Sequence, residues 1–137
     1  MKTGNNPSTA KAFVNYQEMK GSNLYSFGDI CKSYNTIIAS HTNGVILLTS
    51  YDYSNTTQRH KLHIKRAANC KLFEVPICYN WNGLTTDQHK KNLSYLLEQA
   101  ETMEQKANKA RIYGSSYRLI AEKYRQQAAD YESIFEL

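Results

Sequence analysis

Long apolar runs are missing from this chain. The longest aliphatic stretch, Val45 to Leu48, falls far short of the roughly 20 residues that span a bilayer, so no membrane segment is expected. The polar opening Met1-Lys2-Thr3-Gly4-Asn5-Asn6-Pro7 leads into no apolar h-region, so a secretory signal is not expected and the cytoplasm is the expected compartment. Cysteine is scarce: Cys31, Cys70 and Cys78 are odd in number and share no spacing, which fits reduced, buried thiols better than a disulfide framework. No catalytic or cofactor motif stands out, so the reading is of a non-enzymatic protein with no cofactor and no metal. Acids are absent from residues 59 to 71, and this gap turns out to be informative.

Arg59, Lys61, Lys65, Arg66 and Lys71 fall in those thirteen residues, with His60 and His63 among them. The formal net charge is +5, and residues 85 to 137 hold eight basic and eight acidic side chains. Residues 1 to 84 hold nine basic against four acidic, so the whole excess lies there. The division is therefore into a small basic head, 1–84, and a neutral tail, 85–137. A cation cluster of this kind attracts phosphate or an acidic protein surface, in either case more weakly as salt rises.

Within the head, residues 10 to 19 permit a short helix or a strand, and Gly21 to Asp29 reads as a loop anchored by Leu24, Tyr25 and Phe27. The clearest local signal is a hairpin. Ser33 to Ser40 is rich in β-formers, Asn43-Gly44 supplies the two left-handed positions of a type I′ turn, and Val45 to Ser50 returns. With that turn, Ala39 faces Leu48 and Ser40 faces Leu47. A helix capped by Ser54 or Asn55 then runs to about Ala68, with Thr57, His60, Ile64, Ala67 and Ala68 on one face and the cations with Leu62 and His63 on the other. Lys71 to Cys78 alternates as a third strand, which Pro76 confines to an edge.

The tail opens with a capping box, Thr85 and Gln88, and Asp87 suits the helix dipole. From Leu93 to Phe135 it keeps an unbroken heptad register. Leu93, Ala100, Ala107, Gly114, Ala121, Ala128 and Phe135 fill one seam position, and Leu96, Met103, Ala110, Tyr117, Tyr124 and Tyr131 the other. This pattern predicts one continuous helix of about 75 Å at 1.5 Å per residue; the alternative is a break at Gly114-Ser115-Ser116, where helix propensity is low, giving an antiparallel hairpin of two helices. The small seam residues allow close approach of another helix, so a homo-oligomer, most simply a dimer, is expected; an intramolecular partner stays open. The fold class is α+β: a β-hairpin plus edge strand with a packed short helix, followed by a long, coiled-coil-like C-terminal helix.

Between Ser33 and His63 the chain reads SYNTIIAS, then NGVILLTS, then YDYSNTTQRH. This resembles a family of short bacteriophage and mobile-element proteins marked by a Ser-Tyr-x-Thr strand, a glycine-containing turn and a Tyr-Ser-x-Thr-Thr-x-x-His helix start. Matching positions are Ser33, Tyr34, Thr36, Ala39, Gly44, Leu48, Tyr53, Ser54, Thr56, Thr57 and His60. The resemblance implies no established activity. It does imply a phage setting in a host cell, where small non-enzymatic proteins regulate transcription or disable defences such as CRISPR nucleases. The heptad tail departs from the short members.

The candidate binding residues are Arg59, Lys61, Leu62, Lys65, Arg66 and Lys71, for nucleic acid or an acidic patch on a host nuclease complex; the competing reading is an ordinary solvated helix face. His60 reads as a structural histidine beneath the hairpin. A zinc set of His60, His63, Cys70 and Cys78 matches no established spacing. Tyr51, Tyr53 and Tyr79 are core or a stacking platform. A structural component of a phage particle is the alternative function.

Overall fold

The computed structural model describes residues 1–137 and divides the chain into two units, Met1–Gly83 and Leu84–Leu137. In the first unit, α1 (Asn6–Val14) starts at Asn5, whose side chain accepts from the Ser8 N–H, and Pro7 sits in its first turn, where no N–H is needed. Five antiparallel strands follow: β1 (Glu18–Lys20), β2 (Leu24–Phe27), β3 (Ile30–Ser33), β4 (Thr36–Thr42) and β5 (Val45–Thr49). The helix α2 (Asn55–Ala67) then crosses over to β6 (Leu72–Val75), which pairs parallel to β5 at the sheet edge. Pro76 follows directly, where its missing N–H costs no ladder bond.

The α+β class and the register of the β4–β5 hairpin are as the sequence implies, but its first arm is Thr36–Thr42 rather than Ser33–Ser40, because Tyr34 and Asn35 turn the chain and Ser33 pairs back in β3. Ala39 pairs with Leu48 and Ser40 with Leu47, and Asn43 and Gly44 take φ of 50° and 78°. The head nevertheless has six strands rather than three: β1 takes the end of the stretch that permits a helix or a strand, β2 lies within the stretch read as a loop, and β3 runs from beyond that loop to Ser33, which the sequence places in the hairpin. Each is three or four residues long, and β2 and β3 place only Leu24 and Cys31 in the apolar core. So little apolar periodicity does not register as a strand in sequence.

The core lies between the sheet and its two helices. Ala10, Phe13 and Val14 of α1 and Ile64 of α2 pack with Leu24, Cys31, Ile38, Ala39, Ile46 and Leu48 of the strands. Burying such side chains is worth about 1.5–3 kcal/mol each for the larger ones, which is what holds short strands in register. Cys31 and Cys78 are buried thiols, and burial pushes Cys78 up to about 11; Cys70, read as buried, is exposed.

In the second unit, α3 (Thr86–Lys109) opens on the expected capping box, Thr85 with Gln88, and α4 (Gly114–Ile134) returns against it. The single continuous helix is therefore not formed. Ala110 is extended, and Tyr113 adopts the left-handed region at φ 69°. A heptad count records the apolar stripe of each helix, not the direction of the backbone between them. Gly114 helps to close the turn: a Cβ there would sit 3.2 Å from the Ala107 carbonyl oxygen. No helix is long and apolar enough to cross a membrane.

Candidate binding face and the buried histidine network

Ser54 caps α2, accepting from the Thr57 N–H, and the helix turns Thr57, His60, Lys61 and Ile64 inward. At 100° per residue, Lys61 lies only 40° from Thr57 around the helix axis, on the margin of the inner face. It is 2% exposed, so it does not belong to the outward cationic face to which it was assigned. Its ammonium lies 2.7 Å from one carboxylate oxygen of Glu74 on β6, while Lys65 lies 2.6 Å from the other. Burial alone would raise the Glu74 carboxyl, but hydrogen bonds from the two lysines outweigh it and hold the group below its ordinary range. The helix angle of Lys61 and the acid between Phe73 and Val75 were the signals that could have found this pair.

The remaining members of the cluster face solvent. Arg59, Leu62 and Arg66 recur at three- and four-residue spacing along the exposed side of α2, with His63 half-buried beside them; Lys65 and Lys71 are also exposed. Leu62 is 42% exposed between the two arginines. Just before the helix, Tyr51 and Tyr53 are exposed and in ring contact at 4.7 Å, so neither belongs to the core.

His60 is 1% exposed and centres a polar network that the sequence did not reveal. Asn6 Nδ2 donates to Asn23 Oδ1 at 2.8 Å, and His60 Nε2 lies 2.8 Å from the same oxygen. A carbonyl oxygen only accepts, so Nε2 carries the ring proton. Nδ1 is then the acceptor for Ser33 Oγ at 2.6 Å, and Thr57 Oγ1 lies 2.9 Å from that hydroxyl. Asn23 Nδ2 in turn donates to the Tyr34 hydroxyl at 3.1 Å. Every member is satisfied with His60 neutral, and burial, with a smaller effect of His63, lowers its pKa. A serine, histidine and amide in line resemble a nucleophilic triad. Ser33, however, is 2% exposed and does not line the nearby cleft formed by Tyr25, Phe27, Lys32, Tyr34 and Asn35, so the geometry is that of a network joining β3, α1 and α2.

His60, His63, Cys70 and Cys78 are not gathered into a group that could hold a metal ion. In the second unit, the seam residues are covered in part within one chain. Leu96, Ala100, Ala107, Ala121, Ala128 and Tyr131 are buried along α3 and α4, while Leu93, Met103, Ala110, Tyr117, Tyr124 and Phe135 are half-buried. The chain's own return supplies the intramolecular partner that the small seam residues left open. At the open end, Tyr131 is fully buried; its hydroxyl lies 2.7 Å from His89 Nδ1 and accepts from Asn92 Nδ2, and Phe135 stacks on His89.

No curated protein and no solved structure matches this chain. Residues 1–71, more than half of its 137 residues and ending just before β6, match the model of a family of unknown function, DUF8033, and the chain belongs to that family.

Proposed function

We propose that this is a non-enzymatic binding protein whose head presents the outer face of α2 to a polyanionic partner, with nucleic acid the leading class. The carrying observation is the exposed pair Arg59 and Arg66, in a stretch whose neighbouring acid, Glu74, is already held by Lys61 and Lys65. Two arginines two turns apart on one helix face suit phosphates and give affinity rather than base discrimination. The phage setting, and with it a role against a host defence nuclease, rests on the resemblance of residues 33–63 alone. Leu62 favours a protein form of the same reading, in which an acidic patch on such a nuclease is the target, because an apolar side chain between arginines gains little from a phosphate backbone.

A structural role in a phage particle is supported by a different observation. Ile112 and Tyr113 at the α3–α4 turn, and Leu119 and Ile120 in the first turns of α4, are exposed on the second unit, apolar side chains of the kind that assembly covers.

The test is fluorescence anisotropy with labelled duplex and single-stranded DNA across a salt series. Arg59→Glu with Arg66→Glu should weaken binding at least about tenfold and flatten the salt dependence. Unchanged affinity in that variant removes α2 as the binding face.

A further inference from the structure

The sheet has a second face, away from α1 and α2. Leu24, Ser26, Cys31 and Ser33 are buried on the helix side, so the alternate residues Tyr25, Phe27 and Lys32 share the other. Together with Tyr34 and Asn35 of the β3–β4 turn they line a cleft of about 380 Å³. The Lys32 ammonium lies 5.4 Å from the centroid of the Phe27 ring. Lys20 pairs with Tyr25 across the β1–β2 ladder and adds a second cation, while Glu18, opposite Phe27, sets a negative charge at the other rim.

Tyr34 is held in an uncommon way. Its φ is 55°, in the left-handed region that bulky side chains rarely adopt, and its hydroxyl accepts from Asn23, itself bonded to His60. The two-residue β3–β4 turn, across which Ser33 pairs with Thr36, requires that φ. Here it places an exposed aromatic ring at the cleft mouth.

We propose that this cleft stacks a base of single-stranded nucleic acid between Phe27, Tyr25 and Tyr34, with Asn35 facing the base edge and Lys32 and Lys20 receiving the adjacent phosphates. Tyr25, Tyr34 and, once the Lys32 ammonium moves from over its ring to a phosphate, Phe27 offer π-faces to any base, whereas a duplex keeps its bases stacked and out of reach. Glu18 repels phosphate, so the strand runs on the side of Lys20 and Asn35. The inference deepens the nucleic-acid reading of the head and assigns it a strand class.

The experiment measures full-length protein by anisotropy against a labelled oligothymidylate of about 15 nucleotides, the matching duplex, and thymidine monophosphate as competitor. Single strand should bind more tightly than duplex. Phe27→Leu, and Phe27→Leu with Tyr34→Leu, should each weaken it at least about fivefold, while Phe27→Tyr retains it. Phe27 is exposed, so its single variant should keep the wild-type circular dichroism and melting temperature. If the Leu variants bind as wild type while the α2 arginine variant loses affinity, the cleft is overturned and the α2 reading stands. If the Leu variants lose affinity and the arginine variant does not, the cleft stands and α2 falls. Wild-type protein binding neither DNA form overturns both, and full competition by the mononucleotide at equal concentration overturns the strand assignment.

Discussion

Lys61 Nζ lies 2.7 Å from Glu74 Oε2, with the lysine side chain 3% and the glutamate side chain 33% exposed. This pair ties α2 to β6, the two elements that end the first unit. Breaking one side of a buried pair is costlier than replacing the cation with an apolar chain. Glu74→Ala should therefore cost about 2 kcal/mol, discounted from the fully buried case because the carboxylate is partly solvated. Lys61→Met should stay within about 1 kcal/mol of wild type. Urea denaturation measures both, and a Lys61→Met loss equal to that of Glu74→Ala would contradict this account.

The same carboxylate sets an acid limit. Its folded pKa is lowered, so the stability it contributes is present above the unfolded value near 4.5 and is lost as pH falls through the still lower folded value. Glu74→Gln should flatten that part of the stability curve, as read by denaturation midpoints stepped down from pH 5.

His60 and His89 act at higher pH with the same direction. Burial lowers both, so below about pH 6.5 the unfolded chain binds protons that the folded chain does not. Stability should fall as pH drops through 6.5 toward the lower folded values. Imidazole NMR titration should find both rings titrating below an exposed histidine; a ring that titrates at or above 6.5 would reject its buried, neutral assignment.

Ala121 is fully buried where α4 faces α3. Ala121→Leu should overpack that contact by about 1–3 kcal/mol. Because the contact is made within one chain, the loss should not depend on protein concentration. A melting temperature that climbs with concentration in the wild type would instead place another molecule at this seam.

Tyr113 and Gly114 divide the work of the turn between α3 and α4. Tyr113→Gly should relieve left-handed strain and stabilise the second unit by about 0.5–1 kcal/mol. Gly114→Val should destabilise it by at least about 1 kcal/mol, since the Ala107 carbonyl is backbone and cannot step aside. Thermal melts followed by helical circular dichroism would register both, and equal effects of the same sign would refute the division.

Local chemistry made several elements readable without coordinates. Asn43-Gly44 requires two left-handed residues and so fixes the register of the β4–β5 hairpin; Ser54 and Thr85 offer cap oxygens at the helix starts, and Pro76 fits only a strand edge. The binding face was partly readable: Arg59, Leu62 and Arg66 emerge outward as their spacing requires. Lys61 did not, because the acid that permits its burial is thirteen residues away on another element. The His60 network was invisible for the same reason, since Asn6, Asn23 and Ser33 come from separate segments.

The α+β class, the basic bias of the head, the hairpin register and the apolar stripes of the tail are all legible in the order of residues. All of these follow from backbone preference and from periodicity within one element. Tertiary structure alone decided that the stripes close on each other, that Lys61 turns inward, and that Tyr25, Phe27 and Tyr34 share a cleft. Those outcomes depend on which distant groups meet, and a charge or an aromatic ring carries no local mark of its eventual neighbour.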